Sequence, residues 1–246
     1  MSNEKPLGDL QNQSRRGVRL TSSLDAVNVM QGRGPMQPSL FPDTGERLVR
    51  SDGGSIRLIA SYLEAPEADW LFGNLNNLAG WHQDHIRVYG KTHPLPRLHR
   101  WFAESNEPYR WSGISMQPEP FPEYLEAVRQ RIAADGAVHF NTALGNLYRN
   151  GRDGVGWHSD DEPELGPQPL IASLSLGAPR RFLLRKKVDH SQCLAFDLTH
   201  GSLLWMSGDT QKVWEHSIPK SDRPVGPRIN LTFRAIYTAS DGSIKR

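Results

Sequence analysis

The seven residues 228–234, RINLTFR, restrict the fold of this chain more than any other segment. Polar side chains occupy every even position and apolar side chains every odd position, which is the period of a β-strand with two different faces. The apolar face predicts a place against the core. Arg228 and Arg234 would be costly to bury unless they meet an anion, and a dicarboxylate would satisfy both guanidinium groups. The pattern leaves one alternative open, a solvent-facing strand at a sheet edge.

A second predicted strand, residues 141–149, offers polar groups that complement these arginines. Its Asn146 and Tyr148 are two residues apart and therefore project from one face, together with Leu144. They could hydrogen-bond the same dicarboxylate, or they could form an ordinary polar face.

Short strands separated by Gly, Pro and Asp fill the C-terminal half of the chain. Helices are predicted to begin at Pro66 and after Pro122, and the second of them should end at Gly136. We expect an α+β fold in which a jelly-roll core, the double-stranded β-helix, carries helices on one face. The predicted strands cover residues 56–60, 84–89, 141–149, 170–176, 181–184, 192–198, 203–206 and 228–237, with a loop over residues 90–99.

Two histidines and an aspartate have the spacing of a metal site. His158 and Asp160 are separated by one residue, so in an extended chain their side chains point to the same side and can reach one ion, with His216 as the third ligand. Such a set is the facial triad of non-haem Fe(II) oxygenases, which leaves open positions on the metal. The tripeptide alone is weak evidence because it often arises by chance. The same side chains also suit zinc, so a zinc hydrolase is an alternative.

Several motifs together resemble the AlkB family of Fe(II)- and 2-oxoglutarate-dependent dioxygenases, and most of all its members that repair alkylated DNA and RNA. The similarity covers roughly residues 86–237, whereas the first fifty residues and the stretch before Asp84 depart from the pattern. The motifs are PR at 96–97, YRWSG at 109–113, NLYRN at 146–150, HSDDE at 158–162, IASLSLG at 171–177, HGSLL at 200–204, His216 and RINLTFR at 228–234.

The resemblance implies a role for individual residues. Fe(II) would be bound by His158, Asp160 and His216. The distal carboxylate of 2-oxoglutarate would be held by Arg228 and Tyr148 with Asn230 nearby, and the carboxylate next to the keto group by Arg234 and Asn146. The nucleotide would be contacted by Tyr109, Ser112, Asp161 and Glu162.

The reaction that the resemblance implies is oxidative dealkylation of bases such as N1-methyladenine and N3-methylcytosine. It would use Fe(II), 2-oxoglutarate and O2 and release succinate, CO2 and formaldehyde. The substrate would be alkylated DNA, single- or double-stranded, with RNA as a further substrate, and the target base would be flipped into the pocket. The alternatives are a hydroxylase of a small molecule or a protein side chain with the same centre, and a nucleic-acid-binding module without catalysis.

Composition bounds the domain organisation. With 246 residues, 37% of them hydrophobic, the chain can form one domain of ordinary size and a tail. We expect a disordered basic tail over residues 1–50, one dioxygenase domain over 51–239 and a short polar tail over 240–246. The one cysteine, Cys193, excludes an internal disulfide and predicts a small buried residue in a strand.

Charge and hydropathy bound the partners. A net charge of +2 is too small to draw the whole molecule onto a polyanion, so local basic groups must make any contact with nucleic acid. One candidate group is Arg87, Lys91, Arg97 and Arg100, which could equally be a solvated face. No apolar run is long enough to cross a bilayer, so we expect no membrane partner and a cytoplasmic location with access to the nucleoid or nucleus. We also expect a monomer.

Overall fold

Fifteen strands, three α-helices and one short 3-10 helix (Pro163–Leu165) form the described part of the chain, which is residues 45–88, 90–111 and 114–237 of a computed structural model. In chain order the strands and α-helices are β1 (Glu46–Ser51), β2 (Gly54–Ile59), α1 (Ala65–Asn76), β3 (His85–Val88), β4 (Lys91–Pro94), β5 (Leu98–Ala103), β6 (Tyr109–Trp111), β7 (Ile114–Met116), α2 (Glu123–Gly136), β8 (Thr142–Tyr148), β9 (Val155–His158), β10 (Ile171–Gly177), β11 (Arg180–Lys186), β12 (Cys193–Leu198), β13 (Ser202–Gly208), α3 (Thr210–Val213), β14 (Trp214–Ile218) and β15 (Arg228–Arg234).

Two antiparallel sheets contain most of these strands. The large sheet has seven strands in the order β1-β2-β13-β10-β15-β8-β5, and the small sheet has four in the order β12-β11-β14-β9. The hairpins β3-β4 and β6-β7 each form a separate two-stranded sheet. Mostly antiparallel sheets with few helices confirm the predicted fold class, the jelly-roll core.

The strand β15 lies inside the large sheet, paired with β10 on one side and β8 on the other. All seven of its residues are buried. Ile229, Leu231 and Phe233 join the core on the helical side of the sheet. The even-numbered residues face the small sheet and line a cavity there. The structure therefore excludes the edge strand with ordinary surface charges and confirms the two-faced strand.

The helices α1 and α2 pack on the outer face of the large sheet. α1 has Pro66 in its first turn, and α2 follows Pro122 and ends at Gly136, as predicted. Leu71, Leu75 and Ile132 bury their side chains against the apolar face of the sheet. A second core lies between the two sheets, where Phe182, Leu184, Phe196 and Leu198 of the small sheet meet Ile171 and Leu204 of the large one. This second core closes one end of the cavity.

Three local predictions differ from the structure. Residues 90–99 are predicted to be a loop, but they contain β4 and the start of β5. β5 forms because each of its residues pairs with a residue of β8, and this long-range pairing leaves no signal in the local sequence. Cys193 begins a strand but is exposed rather than buried. β1 includes residues 46–50, which the sequence placed in the tail; residues 1–44 and 238–246 lie outside the described residues.

The predicted basic group on the N-terminal half is also partly wrong. Arg97 and Arg100 are 4% and 7% exposed. The guanidinium of Arg100 is taken up by the Glu119 carboxylate and the Ala79 carbonyl. Neither side chain is a surface charge for nucleic acid. Among the described residues, no helix is long and apolar enough to cross a membrane.

Candidate active site

The side chains of His158, Asp160 and His216 meet at one end of the cavity between the sheets. His158 is the last residue of β9 and lies directly opposite His216 of β14 in the antiparallel register. Asp160 follows His158 by two residues. One ligand atom from each side chain lies within 4.8 Å of the other two. This cluster of two imidazoles and one carboxylate could hold a divalent metal ion.

Hydrogen bonds orient two of these side chains. His158 Nδ1 lies 2.9 Å from the Gly156 carbonyl oxygen. A carbonyl can only accept, so Nδ1 carries a proton, and Nε2 lies 3.9 Å from Asp160 Oδ1. Arg234 Nη2 donates to Asp160 Oδ2 over 2.7 Å. These bonds leave His158 Nε2 and Asp160 Oδ1 as the atoms that could coordinate an ion bound by this cluster.

The charge states of the cluster suit a metal. Burial alone would raise the pKa of Asp160, but electrostatic interactions with Arg234 and, after it, with His216 and His158 outweigh burial and hold that pKa well below its usual range. Burial, reinforced by the positive charge of His158, lowers the pKa of His216 to about 3. At neutral pH the aspartate is therefore ionised and His216 is neutral, which are the forms that bind metal ions.

Arg228 marks the opposite part of the cavity. It is 1% exposed, it stands opposite Tyr148 in the register, and its guanidinium lies 5.1 Å from the Tyr148 ring centre. Nη2 donates to Ser175 Oγ over 2.9 Å, but Nε and Nη1 have no hydrogen-bond partner among the described residues. Burial lowers the pKa of Arg228 to about 10, which still leaves it charged. A buried cation with two unused donors fits an anionic ligand in the cavity.

The cavity wall between these two ends is polar, and its side chains are hydrogen-bonded to their neighbours. Asn146 and Asn230 stand opposite each other on β8 and β15. Arg97 Nε donates to Asn146 Oδ1 over 2.8 Å. The Asn230 amide group donates to Ser173 Oγ and accepts from Thr232, so it shapes the wall more than it offers free groups. Sequence reasoning missed Arg97 as a pocket residue, although its position in the PR motif was a signal.

The comparisons with known proteins agree with this geometry. A family model described as 2OG-Fe(II) oxygenase superfamily matches residues 55–234. Alpha-ketoglutarate-dependent dioxygenase alkB homolog 3 of Homo sapiens is 40% identical over 195 residues, which cover 76% of this chain and 68% of that protein. The chain belongs to the AlkB family.

Two further AlkB proteins extend the comparison. DNA oxidative demethylase ALKBH2 of Homo sapiens is 34% identical over 200 residues, which cover 77% of this chain and 76% of that protein. The solved structure of OsALKBH1 shares the fold with a TM-score of 0.53 at 19% identity, over 76% of this chain and 99% of that chain. As an AlkB protein the chain is an Fe(II)- and 2-oxoglutarate-dependent dioxygenase, with Fe(II), 2-oxoglutarate and O2 as cofactor and co-substrates. The zinc hydrolase and the non-catalytic module are thereby excluded.

The four residues that the AlkB resemblance assigned to the substrate lie in different settings. Asp161 is exposed and pairs with Lys187 Nζ at 2.9 Å, so its carboxylate diverges from the buried Asp160. Glu162 is half-buried, and burial together with the nearby negative charge of Asp160 raises its pKa. Tyr109 lies in β6, and its side chain is outside the described part of the structure; Ser112 lies outside the described residues.

Proposed function

We propose that this dioxygenase removes alkyl groups from the base nitrogens of DNA, with N1-methyladenine and N3-methylcytosine as typical lesions. The reaction would consume 2-oxoglutarate and O2 and release succinate, CO2 and formaldehyde. The observation that carries the proposal is the cavity itself, in which the His158, Asp160 and His216 cluster faces the buried Arg228 with its unused donors. The substrate class follows from the relatives, among them a DNA oxidative demethylase.

We assign the metal to His158, Asp160 and His216. Bound Fe(II) would supply the activation of O2 that oxidises the alkyl carbon. The protein contributes ligands that already have the required protonation states, because Asp160 is ionised and His216 is neutral at pH 7. His158, Asp160 and His216 would supply three protein ligands and would leave other coordination positions for the co-substrates.

We assign 2-oxoglutarate to the polar wall of the cavity. Arg228, with the Tyr148 phenol beside it, would bind the distal carboxylate through the two donors that have no other use. Arg234 and Asn146 would bind the carboxylate next to the keto group, and Arg234 suits this role because it already bonds the metal-side Asp160. Asn230 would act by holding the wall rather than by a free donor.

On the substrate side, Asp161 and Glu162 would lie beside the flipped base, with Tyr109 and Ser112 in the nucleotide-recognition region. The carboxylate of Asp161 could accept a hydrogen bond from an exocyclic amine and favour a cationic ring over an undamaged base. RNA as a second substrate, a monomeric state, a cytoplasmic location and one catalytic domain reaching to residue 239 belong to the same proposal.

The test is turnover on matched oligonucleotides. DNA and RNA strands of one sequence, single- and double-stranded, would carry one N1-methyladenine or none. We expect equal amounts of formaldehyde and succinate with methylated DNA, and no formaldehyde with the unmodified strand. His158→Ala, Asp160→Ala and His216→Ala should each abolish turnover and lower iron content without unfolding the chain. Succinate release that is coupled instead to a small molecule or a protein side chain would replace this proposal with the alternative hydroxylase.

A further inference from the structure

Gln211 is a buried polar side chain that contacts the backbone of a candidate metal ligand. It is 2% exposed, and its Oε1 accepts a hydrogen bond from the Asp160 backbone N–H over 3.0 Å. Its Nε2 donates to Met206 Sδ at 3.4 Å. Because both ends of the side-chain amide are engaged, the orientation of Gln211 is fixed.

The short helix α3 is itself anchored to the large sheet. Thr210, next to Gln211, is 1% exposed. Its hydroxyl donates to the Ser207 carbonyl over 2.6 Å and accepts from the Ser55 backbone N–H over 3.1 Å. The side chain that accepts the Asp160 N–H is therefore carried by a helix that is itself hydrogen-bonded to the large sheet.

The same helix leads directly into β14, which carries His216. A second hydrogen bond connects the loop after β9, which contains Asp160, to this segment: Ser159 Oγ donates to the Trp214 carbonyl over 2.9 Å. Two hydrogen bonds therefore connect the loop that holds Asp160 to the segment that leads into His216. One is made by the Ser159 hydroxyl and the other by the Asp160 backbone N–H.

We propose that Gln211 is a positioning residue for the metal centre, and that its hydrogen bond to the Asp160 amide aims the Asp160 carboxylate at the two histidines. Gln211 is not one of the three residues of the metal cluster, so it would act through Asp160. Partners of metal ligands commonly set ligand orientation, and their loss costs about 10–100-fold in metal affinity. The inference rests on the proposed assignment of His158, Asp160 and His216 as the metal ligands.

The test compares two variants of the full chain. Gln211→Met has nearly the same length but no oxygen acceptor, whereas Gln211→Glu keeps an acceptor oxygen for the Asp160 amide. Anaerobic titration with Fe(II) should show an affinity about 10–100-fold weaker for Gln211→Met and close to the parent for Gln211→Glu. The visible absorption spectrum of bound Co(II), which reports coordination geometry, should change only in Gln211→Met. If Gln211→Met does not fold, Gln211→Asn, which is too short to reach, takes its place.

Ser202→Ala is the matched control. Ser202 is 0% exposed and its hydroxyl donates to the Thr199 carbonyl over 2.7 Å, so this variant also loses a buried hydrogen bond, but away from the cluster. It should lower the unfolding midpoint and leave Fe(II) affinity unchanged. Gln211→Met that behaves like Ser202→Ala would overturn the inference, as would equal loss of affinity in the Met and Glu variants. His216→Ala run in parallel separates the two claims: if it keeps full Fe(II) affinity, the metal assignment itself fails.

Discussion

Arg228 holds a positive charge almost wholly away from water, and only a partner of opposite charge makes that arrangement favourable. Its guanidinium donates to Ser175 through Nη2, but Nε and Nη1 have no hydrogen-bond partner among the described residues. At the scale of single residues, a co-substrate anion would neutralise this buried charge and accept hydrogen bonds from the two donors.

Replacing Arg228 by methionine should therefore raise the 2-oxoglutarate concentration needed for half-maximal turnover by a factor of tens to thousands. The loss of a buried charged partner typically costs about 2–5 kcal/mol. Steady-state kinetics would measure the change, and the affinity for an oligonucleotide should stay the same. Arg129→Met is the control, since Arg129 of α2 is also buried but pairs with Glu104, which follows β5, and with Glu126 of its own helix. Equal damage to both ligands in Arg228→Met would indicate a structural role.

Asp161 and its partner Lys187 give a second prediction at this scale. Asp161→Asn should keep Fe(II) and 2-oxoglutarate binding but slow repair of N1-methyladenine more than repair of the neutral lesion ethenoadenine, because only the cationic base gains from the carboxylate. Lys187→Met is the matched control, since it removes the other half of the pair and leaves the carboxylate in place. It should not slow repair of the cationic lesion. Equal slowing of both lesions in Asp161→Asn would favour a purely local role in the loop.

At the scale of elements, the sequence predicted those strands whose own residues carry the signal. β8, β10, β12, β13 and β15 alternate or are apolar and end at turn residues. β9 and β14, which carry the two histidines, were not predicted. β9 is four residues long and contains an exposed glycine, and β14 follows α3 directly. Both are held by pairing with neighbours that are distant in sequence, and that pairing has no local signal.

The apolar face of β15 should be sensitive to substitution. Phe233 is 0% exposed and its ring lies 6.2 Å from that of Phe140. Phe233→Ala should lower the free energy of unfolding by about 3–5 kcal/mol, because it leaves a cavity in the core under the helices. Denaturant unfolding would measure it. Tyr237→Ala, which removes an aromatic ring that is 41% exposed, should change stability by less than about 0.5 kcal/mol. A loss after Phe233→Ala as small as that after Tyr237→Ala would contradict the burial of this face in the core.

At the scale of the whole molecule, the site joins two sheets that the chain builds separately. The arginines belong to the large sheet, whereas the histidines belong to the small one. Motifs and resemblance predict a role for each of these residues, but they do not point to Gln211. It lies 51 positions from Asp160 in the chain, and only the placement of α3 brings the two together.

A ligand that spans the cavity should therefore stabilise the fold cooperatively. We expect Mn(II) and 2-oxoglutarate together to raise the unfolding midpoint by more than the sum of their separate effects. Each ligand at about 100 times its dissociation constant would add about 2.7 kcal/mol if it acted alone. Thermal unfolding in the absence of Fe(II) would measure the shifts. In Arg228→Met the contribution of 2-oxoglutarate should disappear at the same concentration, and simple additivity in the parent would argue against bridging.

The placement of β15 also constrains how this protein can change through descent. Deleting or inserting one residue inside the strand would exchange the two faces on one side of the change, which sends apolar side chains into the cavity and polar ones into the core. The changes that this strand can tolerate are therefore substitutions that keep each position polar or apolar according to the face on which it lies. The β3-β4 hairpin pairs with neither large nor small sheet, and all four residues of β4 are exposed. Lineages of this protein should accordingly vary in length at that hairpin and keep the length of β15.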